Sequence, residues 1–208
     1  MIKCMQKILG PIGTNVYLLI NDEKKAGVLI DPAFSPSSIK DMINKADVSL
    51  EGILLTHGHS DHCEASDQIR EAYNTMVYAG KAEKLVLETP EINLSRFNAD
   101  HSFTVKYDRL LEDGEELELA GIKIICLSTP GHTVGGMSYY IPEADLLFSG
   151  DTLFYGSVGR TDFPGGSMSD IVRSIKDKLM VLPDNTQVLP GHGELTSIEF
   201  EKENNPFL

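Results

Sequence analysis

The sequence predicts an α/β fold in which two β-sheets pack face to face and helices cover their outer faces. Roughly a dozen short runs, either apolar or alternating and mostly bounded by turn residues, are predicted strands. Stretches with apolar residues at helical spacing lie between several of these runs. The 208 residues are 41% hydrophobic, which is enough to bury a core, and they contain no internal repeat or obvious linker. We therefore expect a single domain that covers residues 1–208.

The amino-terminal part of the chain is predicted to form a strand, a hairpin and a helix. Residues 2–9 alternate loosely between apolar and polar side chains and indicate the strand. Residues 15–20 and 26–31 predict the two arms of the hairpin. Ser35 is the predicted N-cap of the helix, with Pro36 at its first position. The apolar stripe of this helix is formed by Ile39, Met42, Ile43 and Ala46.

Strands and helices continue to alternate along the rest of the chain. The further predicted strands are residues 52–55, 75–79, 103–107, 116–119, 122–127, 137–141, 145–149 and 186–189. The further predicted helices follow residue 62, cover residues 81–88, begin at a cap formed by Ser169 and lie in the tail from Glu194. Residues 89–101 have no clear period, so we interpret them either as a lid or binding loop or as an ordinary surface connection.

A cluster of metal-capable side chains directly follows the predicted strand at residues 52–55. It contains three histidines and one aspartate, namely His57, His59, Asp61 and His62. The carboxyl end of a strand is where α/β proteins collect ligands. His57 and His59 are two residues apart and can aim both rings at one ion. Asp61 and His62 follow half a turn later and can face a second ion beside it.

Three more candidate ligands each follow a predicted strand and stand next to glycine. They are His132 in the segment TPGHT, Asp151 in SGDT and His192 in PGHG. Glycine lets the backbone turn sharply into a crowded site. Five of the six histidines are then assigned. His101, in the stretch without a period, is expected not to be a ligand.

This set of side chains predicts two metal ions. Seven ligands are too many for one tetrahedral ion, which takes about four, and they suit two ions about 3.5–4 Å apart. Asp151 is the natural bridge because a carboxylate has two oxygens to share. Imidazole and carboxylate ligands suit zinc, iron or manganese, and we expect zinc first.

Charge and hydropathy weigh against several functional classes. The formal net charge is −13 without a Lys/Arg cluster, which argues against nucleic-acid binding. No apolar run approaches the ~20 residues that span a bilayer, and the amino terminus lacks signal-peptide features.

The three cysteines match no metal spacing and indicate reduced thiols in the cytoplasm. We expect a small-molecule substrate, no nucleic-acid or membrane partner, and a monomer or small homo-oligomer.

The order of these ligands resembles the metallo-β-lactamase superfamily, and the resemblance covers nearly the whole chain. The segment GRTDFPGG at residues 159–166 and the tail NPFL at residues 205–208 are similar to the glyoxalase II-like branch. The resemblance implies an αββα sandwich of two mixed sheets, with the metals at one edge between the sheets. It also implies that one ion is held by His57, His59 and His132, the other by Asp61, His62 and His192, with Asp151 bridging.

The expected chemistry is hydrolysis of an ester or thioester. Metal binding lowers the pKa of water from 15.7 to about 7, so a shared hydroxide would attack the carbonyl carbon. One ion would polarise the carbonyl oxygen, and Asp61 is a candidate for orienting the nucleophile.

The sequence departs from full-length glyoxalase II after the last ligand. Sixteen residues follow His192, so the helical domain that grips glutathione in that family is missing from them. We therefore expect specificity to come from loops, with residues 89–101, Phe154, Tyr155 and Arg160 as candidates. Arg160 could bind a substrate carboxylate or simply pair with Asp162.

Three other functions stay open at this point. Persulfide dioxygenases share the implied fold, and residues 159–163 also resemble the corresponding segment of that family. Those enzymes use a single iron. By matching positions, His57, His132 and Asp151 would hold it as a two-histidine, one-carboxylate triad with open positions. A β-lactamase and a non-catalytic metal-binding module are the others. Two ions per chain would favour hydrolysis, whereas one Fe(II) with oxygen uptake would favour the dioxygenase.

Overall fold

Two six-stranded β-sheets form the centre of the molecule in the computed structural model, which describes residues 1–98 and 101–208. The first sheet has the order β1-β2-β3-β4-β5-β6; its first three strands pair antiparallel and its last four pair parallel. These strands are β1 (Ile2–Leu9), β2 (Thr14–Asn21), β3 (Ala26–Ile30), β4 (Ser49–Leu54), β5 (Val77–Gly80) and β6 (Arg109–Leu111).

The second sheet and a small hairpin come from the second half of the chain. The strands are β7 (Glu116–Leu119), β8 (Ile122–Ser128), β9 (Met137–Ile141), β10 (Leu146–Gly150), β11 (Leu153–Phe154), β12 (Ser157–Val158), β13 (Gln187–Pro190) and β14 (Thr196–Ser197). The order of the sheet is β14-β13-β10-β9-β8-β7, while β11 and β12 pair with each other. Only the β10–β13 pair of this sheet is parallel among the described residues, so both sheets are mixed.

The helices pack on the outer faces of the sheets. They are α1 (Pro36–Ala46), α2 (Ser60–Cys63), α3 (Ser66–Tyr73), α4 (Lys84–Glu88), α5 (Ser95–Asn98), α6 (Met168–Ser174) and α7 (Ile198–Asn204). Short 3₁₀ turns cover Lys81–Glu83 and Pro142–Ala144, and a π-helical turn, Ile175–Leu179, extends α6. None of the helices in the described residues combines the length and hydropathy that crossing a bilayer requires.

Strand β2 shows how the layers are held together. Successive side chains of a strand point to opposite faces of its sheet. Val16 and Leu18 therefore join the apolar cluster that also contains residues of α1 and α3. Tyr17 and Leu19 join the cluster between the sheets, where the Tyr17 and Phe148 rings lie 5.3 Å apart. A third cluster joins the second sheet to α6 and α7. The predicted αββα sandwich is thus confirmed.

One predicted strand is wrong. Residues 103–107 form no strand, and the last strand of the first sheet is β6, which begins at Arg109. Val105 is buried in the core, and its N–H donates to Leu87 O, but no ladder follows. Every second side chain of residues 103–107 is at least partly buried, which gives the sequence the alternation of a strand, but the backbone pairs with no neighbouring strand. The strands β11, β12 and β14 were missed because two residues are too few to show a period.

Two predicted helix caps also differ. Ser35 precedes α1 as expected, but its φ of 58° places it in the left-handed region and its side chain makes no capping hydrogen bond. Its hydroxyl bonds to Ser38 Oγ instead, at 3.0 Å. Helix α6 is capped by Ser167, whose Oγ accepts a hydrogen bond from Asp170 N, rather than by Ser169. Ser169 lies inside the first turn of the helix, where its backbone is already helical.

Candidate metal centre

The seven candidate ligands meet at one edge of the sandwich because of strand direction. Strands β8 and β10 both run antiparallel to β9, and β13 runs parallel to β10. The carboxyl ends of β8, β10 and β13 therefore lie at the same edge of the second sheet. His132, Asp151 and His192 follow these three strands, while the segment at residues 57–62 follows β4 of the first sheet.

The structure brings the seven side chains into three overlapping groups. In each group the potential ligand atoms lie within 4.8 Å of one another. The groups are His57, His59 and His132; His57, His62 and Asp151; and Asp61, His62 and His192. The first and third groups correspond to the two ligand sets expected from the sequence. His101 belongs to none of the groups found in the described residues.

Asp151 lies between the two sets. Its Oδ1 is 3.3 Å from His62 Nε2, and its Oδ2 is 3.6 Å from both His132 Nε2 and His192 Nε2. Oδ2 therefore lies near a nitrogen of each set, and Oδ1 lies near a second nitrogen of the set that contains His62 and His192. This placement is what a bridging carboxylate needs.

Hydrogen bonds outside the cluster fix the orientation of two rings. His132 Nδ1 lies 2.7 Å from Arg160 O, and a carbonyl oxygen can only accept, so Nδ1 carries the proton. His62 Nδ1 lies 2.9 Å from Asp31 Oδ2 and is assigned as protonated for the same reason. In both rings Nε2 then faces the cluster and is the nitrogen that can bind a metal ion. Such outer partners orient metal-binding histidines and raise their basicity.

His57 is held by a short relay of hydrogen bonds. The Thr56 hydroxyl donates to Asp31 Oδ2 at 2.6 Å, so its oxygen is free to accept from His57 Nδ1, which is 3.1 Å away. His57 Nε2 is buried and has no hydrogen-bond partner in the described part of the chain. A buried polar atom without a partner is costly. A cation bound at the unpaired Nε2 would remove this cost, so the donor set fits divalent metal ions.

Glycine at position 191 leaves room for the cluster. A Cβ atom at Gly191 would collide with Asp151 Oδ1 and with His62 Cε1. Gly159 makes a similar close approach, to the Asp151 carbonyl oxygen. Gly191 therefore lets the backbone approach the carboxylate of Asp151, and Gly159 lets it approach the main chain of the same residue.

The histidine rings of the cluster fall into two kinds, those whose pKa is lowered and those whose pKa is raised. Burial, followed by the neighbouring rings, lowers the pKa of His57 far below its usual range and lowers the pKa of His59 to about 3. Burial also acts to lower the pKa of His62, but the Asp151 and Asp61 carboxylates outweigh it and raise that pKa well above the usual range. For Asp151, burial acts to raise the pKa, and His62 and the other rings outweigh it and lower it strongly. The carboxylates are therefore ionised at neutral pH and can act as ligands.

A buried glutamate supports the loops that carry the ligands. Glu83 is fully buried, and its Oε1 accepts from Gly58 N at 2.9 Å, between His57 and His59. Its Oε2 accepts from Thr133 Oγ1 and Gly135 N, both at 2.9 Å, directly after His132. One carboxylate thus joins the two loops that supply the first ligand set.

The cluster forms the floor of a cavity of about 900 Å³. Phe154 and Arg160, two of the three residues proposed for substrate binding, line this cavity. Tyr155 does not line it: its ring stacks on Phe200 at 4.6 Å, and it borders an adjoining depression that shares Phe154 and His192 with the cavity. Arg160 pairs with Asp162 through two hydrogen bonds of 2.7 Å.

The stretch at residues 89–101 contributes to the cavity wall. It contains α5, and Leu94 and Phe97 line the cavity. The N–H of Ser60 at the start of α2 donates to Asn93 O at 2.7 Å, which joins this stretch to the ligand segment. Residues 99 and 100 lie outside the described part of the chain.

Sequence reasoning missed Asp31, Thr56 and Glu83 as supporting residues. A signal for Asp31 existed, because it directly follows β3, the strand that pairs parallel with β4. No signal in the sequence distinguishes Glu83 from an exposed glutamate, because it stands in the charged segment KAEK.

Comparison with known proteins gives consistent matches over most of the chain. The family model described as the metallo-beta-lactamase superfamily matches residues 9–192. The probable metallo-hydrolase YqgX of Bacillus subtilis is 40% identical over 201 residues, which cover 96% of this chain and 94% of that protein. The hydroxyacylglutathione hydrolase GloC of Haemophilus influenzae is 36% identical over 196 residues, which cover 93% of this chain and 92% of that protein.

Solved structures agree with this result. The B3 metallo-beta-lactamase BLEG-1 superposes with a TM-score of 0.94 at 38% identity, covering 99% of both chains. TTHA1623, solved in a di-iron-bound form, superposes with a TM-score of 0.88 at 36% identity. The match covers 98% of this chain and 100% of TTHA1623. ETHE1 from Myxococcus xanthus superposes with a TM-score of 0.80 at 30% identity. The match covers 98% of this chain and 83% of that protein.

Proposed function

The chain belongs to the metallo-β-lactamase superfamily, and from this we propose that it is a metal-dependent hydrolase of small thioesters or esters. The observation that carries the proposal is the position of Asp151, whose two oxygens face the nitrogens of both ligand sets. A likeness to the hydroxyacylglutathione hydrolase GloC favours a thioester over other carbonyl substrates.

In this proposal the seven side chains hold two divalent ions, zinc first and iron or manganese as alternatives. His57, His59 and His132 would bind one ion, Asp61, His62 and His192 the other, and Asp151 both. Ions held there would supply a water of lowered pKa and Lewis acidity toward the substrate carbonyl. The likeness to TTHA1623, which was solved in a di-iron-bound form, supports a site for two ions.

Asp61 is the residue that we propose to orient the attacking water. Its side chain is 16% exposed, lines the cavity, and its Oδ2 lies 3.2 Å from His192 Nε2. Thr14 Oγ1 donates to the same oxygen at 3.4 Å and limits its movement. Burial acts to raise the pKa of Asp61, but His62 and His192 outweigh it and lower that pKa, so the carboxylate can accept a proton from water.

The nearby thiol does not fit the role of a nucleophile. Cys63 is buried, and its Sγ donates to His59 O at 3.0 Å. Burial raises the pKa of this thiol well above its usual range, so it stays protonated. Its contact with His59 O suggests that it helps to position the ligand segment.

A second candidate is a persulfide dioxygenase that uses a single Fe(II). The likeness to ETHE1 at 30% identity favours it, and His57, His132 and Asp151 would be the iron ligands by matching positions. Such a triad leaves open positions for dioxygen.

The experiment that separates the two compares reactions of the same metal-loaded protein. Thioesters including S-lactoylglutathione, a simple ester, a β-lactam and glutathione persulfide are supplied in turn, with thiol release, ring opening and oxygen uptake recorded. The hydrolase proposal expects thiol release without oxygen uptake from the Zn-loaded protein. Oxygen uptake with persulfide and Fe(II), without thioester cleavage, would establish the alternative. Failure with every substrate despite full metal loading would favour a non-catalytic module.

A further inference from the structure

The rim of the cavity above the metal centre is apolar and exposed. Ile12 is 62% exposed and Phe97 is 69% exposed, and both line the cavity. A single exposed apolar side chain is ordinary, but several at the mouth of one cavity indicate a binding surface. Carbonyl hydrolysis at the floor does not itself require such a rim.

Aromatic rings extend this apolar surface down to the ligands. The Phe163 ring lies 5.7 Å from the His59 ring, and the Phe154 ring lies 6.4 Å from the His192 ring. One ring therefore stands beside each ligand set. Phe34, which also lines the cavity, packs so closely on Gly10 that a Cβ atom there would collide with its ring.

The rim also lacks an available positive charge. Arg160 is the one Lys or Arg side chain among the described residues that line the cavity. Both of its hydrogen bonds to Asp162 are 2.7 Å long, and its guanidinium lies 3.9 Å from the centre of the Phe163 ring. The ion pair has no net charge, so a substrate carboxylate that approaches Arg160 meets a cation already neutralised by Asp162 and gains little net attraction.

We propose that the substrate is a thioester whose acyl group is an apolar chain of several carbons without a carboxylate, lying along Ile12, Phe34 and Phe97. This inference rests on the proposed thioester hydrolysis and specifies its substrate class. Apolar contact along the rim removes both the chain and the exposed side chains from water, which is favourable in proportion to the area buried.

The test is a panel of thioesters that share one uncharged thiol, N-acetylcysteamine. The acyl groups are acetyl, butanoyl, hexanoyl, lactoyl and succinyl, and kcat/KM is measured on the metal-loaded protein. Complete burial of one methylene changes a binding constant about fourfold. For a half-open rim we expect about twofold per methylene, so hexanoyl should exceed acetyl by at least about tenfold. Succinyl should fall below butanoyl because its carboxylate would lie on the apolar rim, where the one cationic side chain is already paired with Asp162.

Two variants connect the effect to the rim. Phe97→Ala and Ile12→Ser alter exposed side chains, so folding is preserved, and each should reduce the hexanoyl-to-acetyl ratio about threefold or more. Val181→Ala is the matched control, because Val181 is 71% exposed and does not line the cavity. It should leave the ratio as in the parent protein.

A binding measurement keeps this inference distinguishable from the proposed function. Ketone analogues, in which a methylene replaces the thioester sulfur, are titrated into the metal-loaded protein by calorimetry. Tighter binding of the hexanoyl analogue than of the acetyl analogue, without any thioester turnover, would support the apolar rim and overturn the hydrolase. Equal binding and equal kcat/KM for all chain lengths, or a preference for lactoyl or succinyl, would overturn the apolar substrate class while leaving hydrolysis in place.

Discussion

Asp31 Oδ2 lies 2.9 Å from His62 Nδ1, and this contact joins the end of β3 to a candidate ligand on α2. The same carboxylate accepts from Thr56 N and from the Thr56 hydroxyl, at 2.7 and 2.6 Å. Asp31 is 1% exposed and touches the cluster only through these partners. We interpret it as the residue that orients His62 directly and His57 through Thr56.

The variant Asp31→Asn should weaken metal binding with little change in shape. An asparagine amide nitrogen would face a donor, either Thr56 N at the Oδ1 position or His62 Nδ1 at the Oδ2 position, so at least one hydrogen bond is lost. Removal of such outer partners typically costs about 10- to 100-fold in metal affinity. Competition with a chromophoric chelator measures the change. Asp184→Asn, at an exposed ion pair with Lys202, is the control and should retain the parent affinity. An unchanged affinity in Asp31→Asn would show that His62 does not depend on this contact.

Gly191→Ala should disturb the centre by crowding. The added methyl group would meet Asp151 Oδ1 and the His62 ring, both of which we assign as ligands. Overpacking costs about 1–3 kcal/mol, so we expect kcat/KM and metal affinity to fall by about 5- to 150-fold. Gly114→Ala is the control for strain without crowding of the centre, because its φ is +74° but no atom lies within 4 Å of a Cβ there, and it should keep the parent metal affinity. Full activity in Gly191→Ala would mean that Asp151 and His62 need not keep these positions.

Glu83 should make stability depend on pH. Burial raises its pKa from 4.5 to about 7, although the hydrogen bonds from Gly58, Thr133 and Gly135 act to lower it. Between these pH values the unfolded chain releases the proton and the folded protein retains it, so stability falls as pH rises through this window. The full change is about 3 kcal/mol.

Urea unfolding of the parent and of Glu83→Gln across pH 4.5 to 7.5 tests this dependence. We expect the free energy of unfolding of the parent, relative to the variant, to decrease by about 3 kcal/mol over the window. A relative stability that is constant or rises with pH would show that the three donors keep the carboxylate ionised in the folded protein.

Metal removal should lower the melting temperature. A ligand at 1,000 times its Kd stabilises a protein by about 4 kcal/mol, and for a chain of this length that corresponds to a shift on the order of 10 °C. Scanning calorimetry before and after chelation measures the shift, and added Zn²⁺ should restore it. Chelation of His59→Ala should shift the melting temperature much less. Identical melting curves for the parent with and without chelator would argue against a metal bound to the folded state.

The seven clustered side chains could be predicted because each stands at a strand end that the sequence itself marks. The buried strands β4, β10 and β13 show as apolar runs, and His57, Asp151 and His192 follow them within a few residues. The supporting residues were not predictable in the same way. Asp31 reaches Thr56 because Ile30 pairs with Leu54, and that register is a tertiary property.

The positions of the side chains around the metal centre depend on tertiary packing, which cannot be read from the residues next to them in the sequence. Glu83 is buried because the loop at Thr133 and Gly135 covers it, from 50 residues further along the chain. Tyr155 stands next to Phe154, yet its ring turns away from the cavity to stack on Phe200 of α7. Tyr155 already belongs to the turn that follows β11, so the direction of its side chain is set by that turn and by the contact with Phe200.

The number of metal ions per chain is the most direct test of the account. Elemental analysis would be made on the protein as isolated and after loading with Zn²⁺ and removal of excess metal, for the parent, His59→Ala and His192→Ala. We expect two ions per chain in the parent, fewer in each variant, and loss of thioester hydrolysis together with the metal. A parent protein that binds no ion, or variants that keep both ions and full activity, would contradict the assignment of these seven side chains as a two-metal hydrolytic centre.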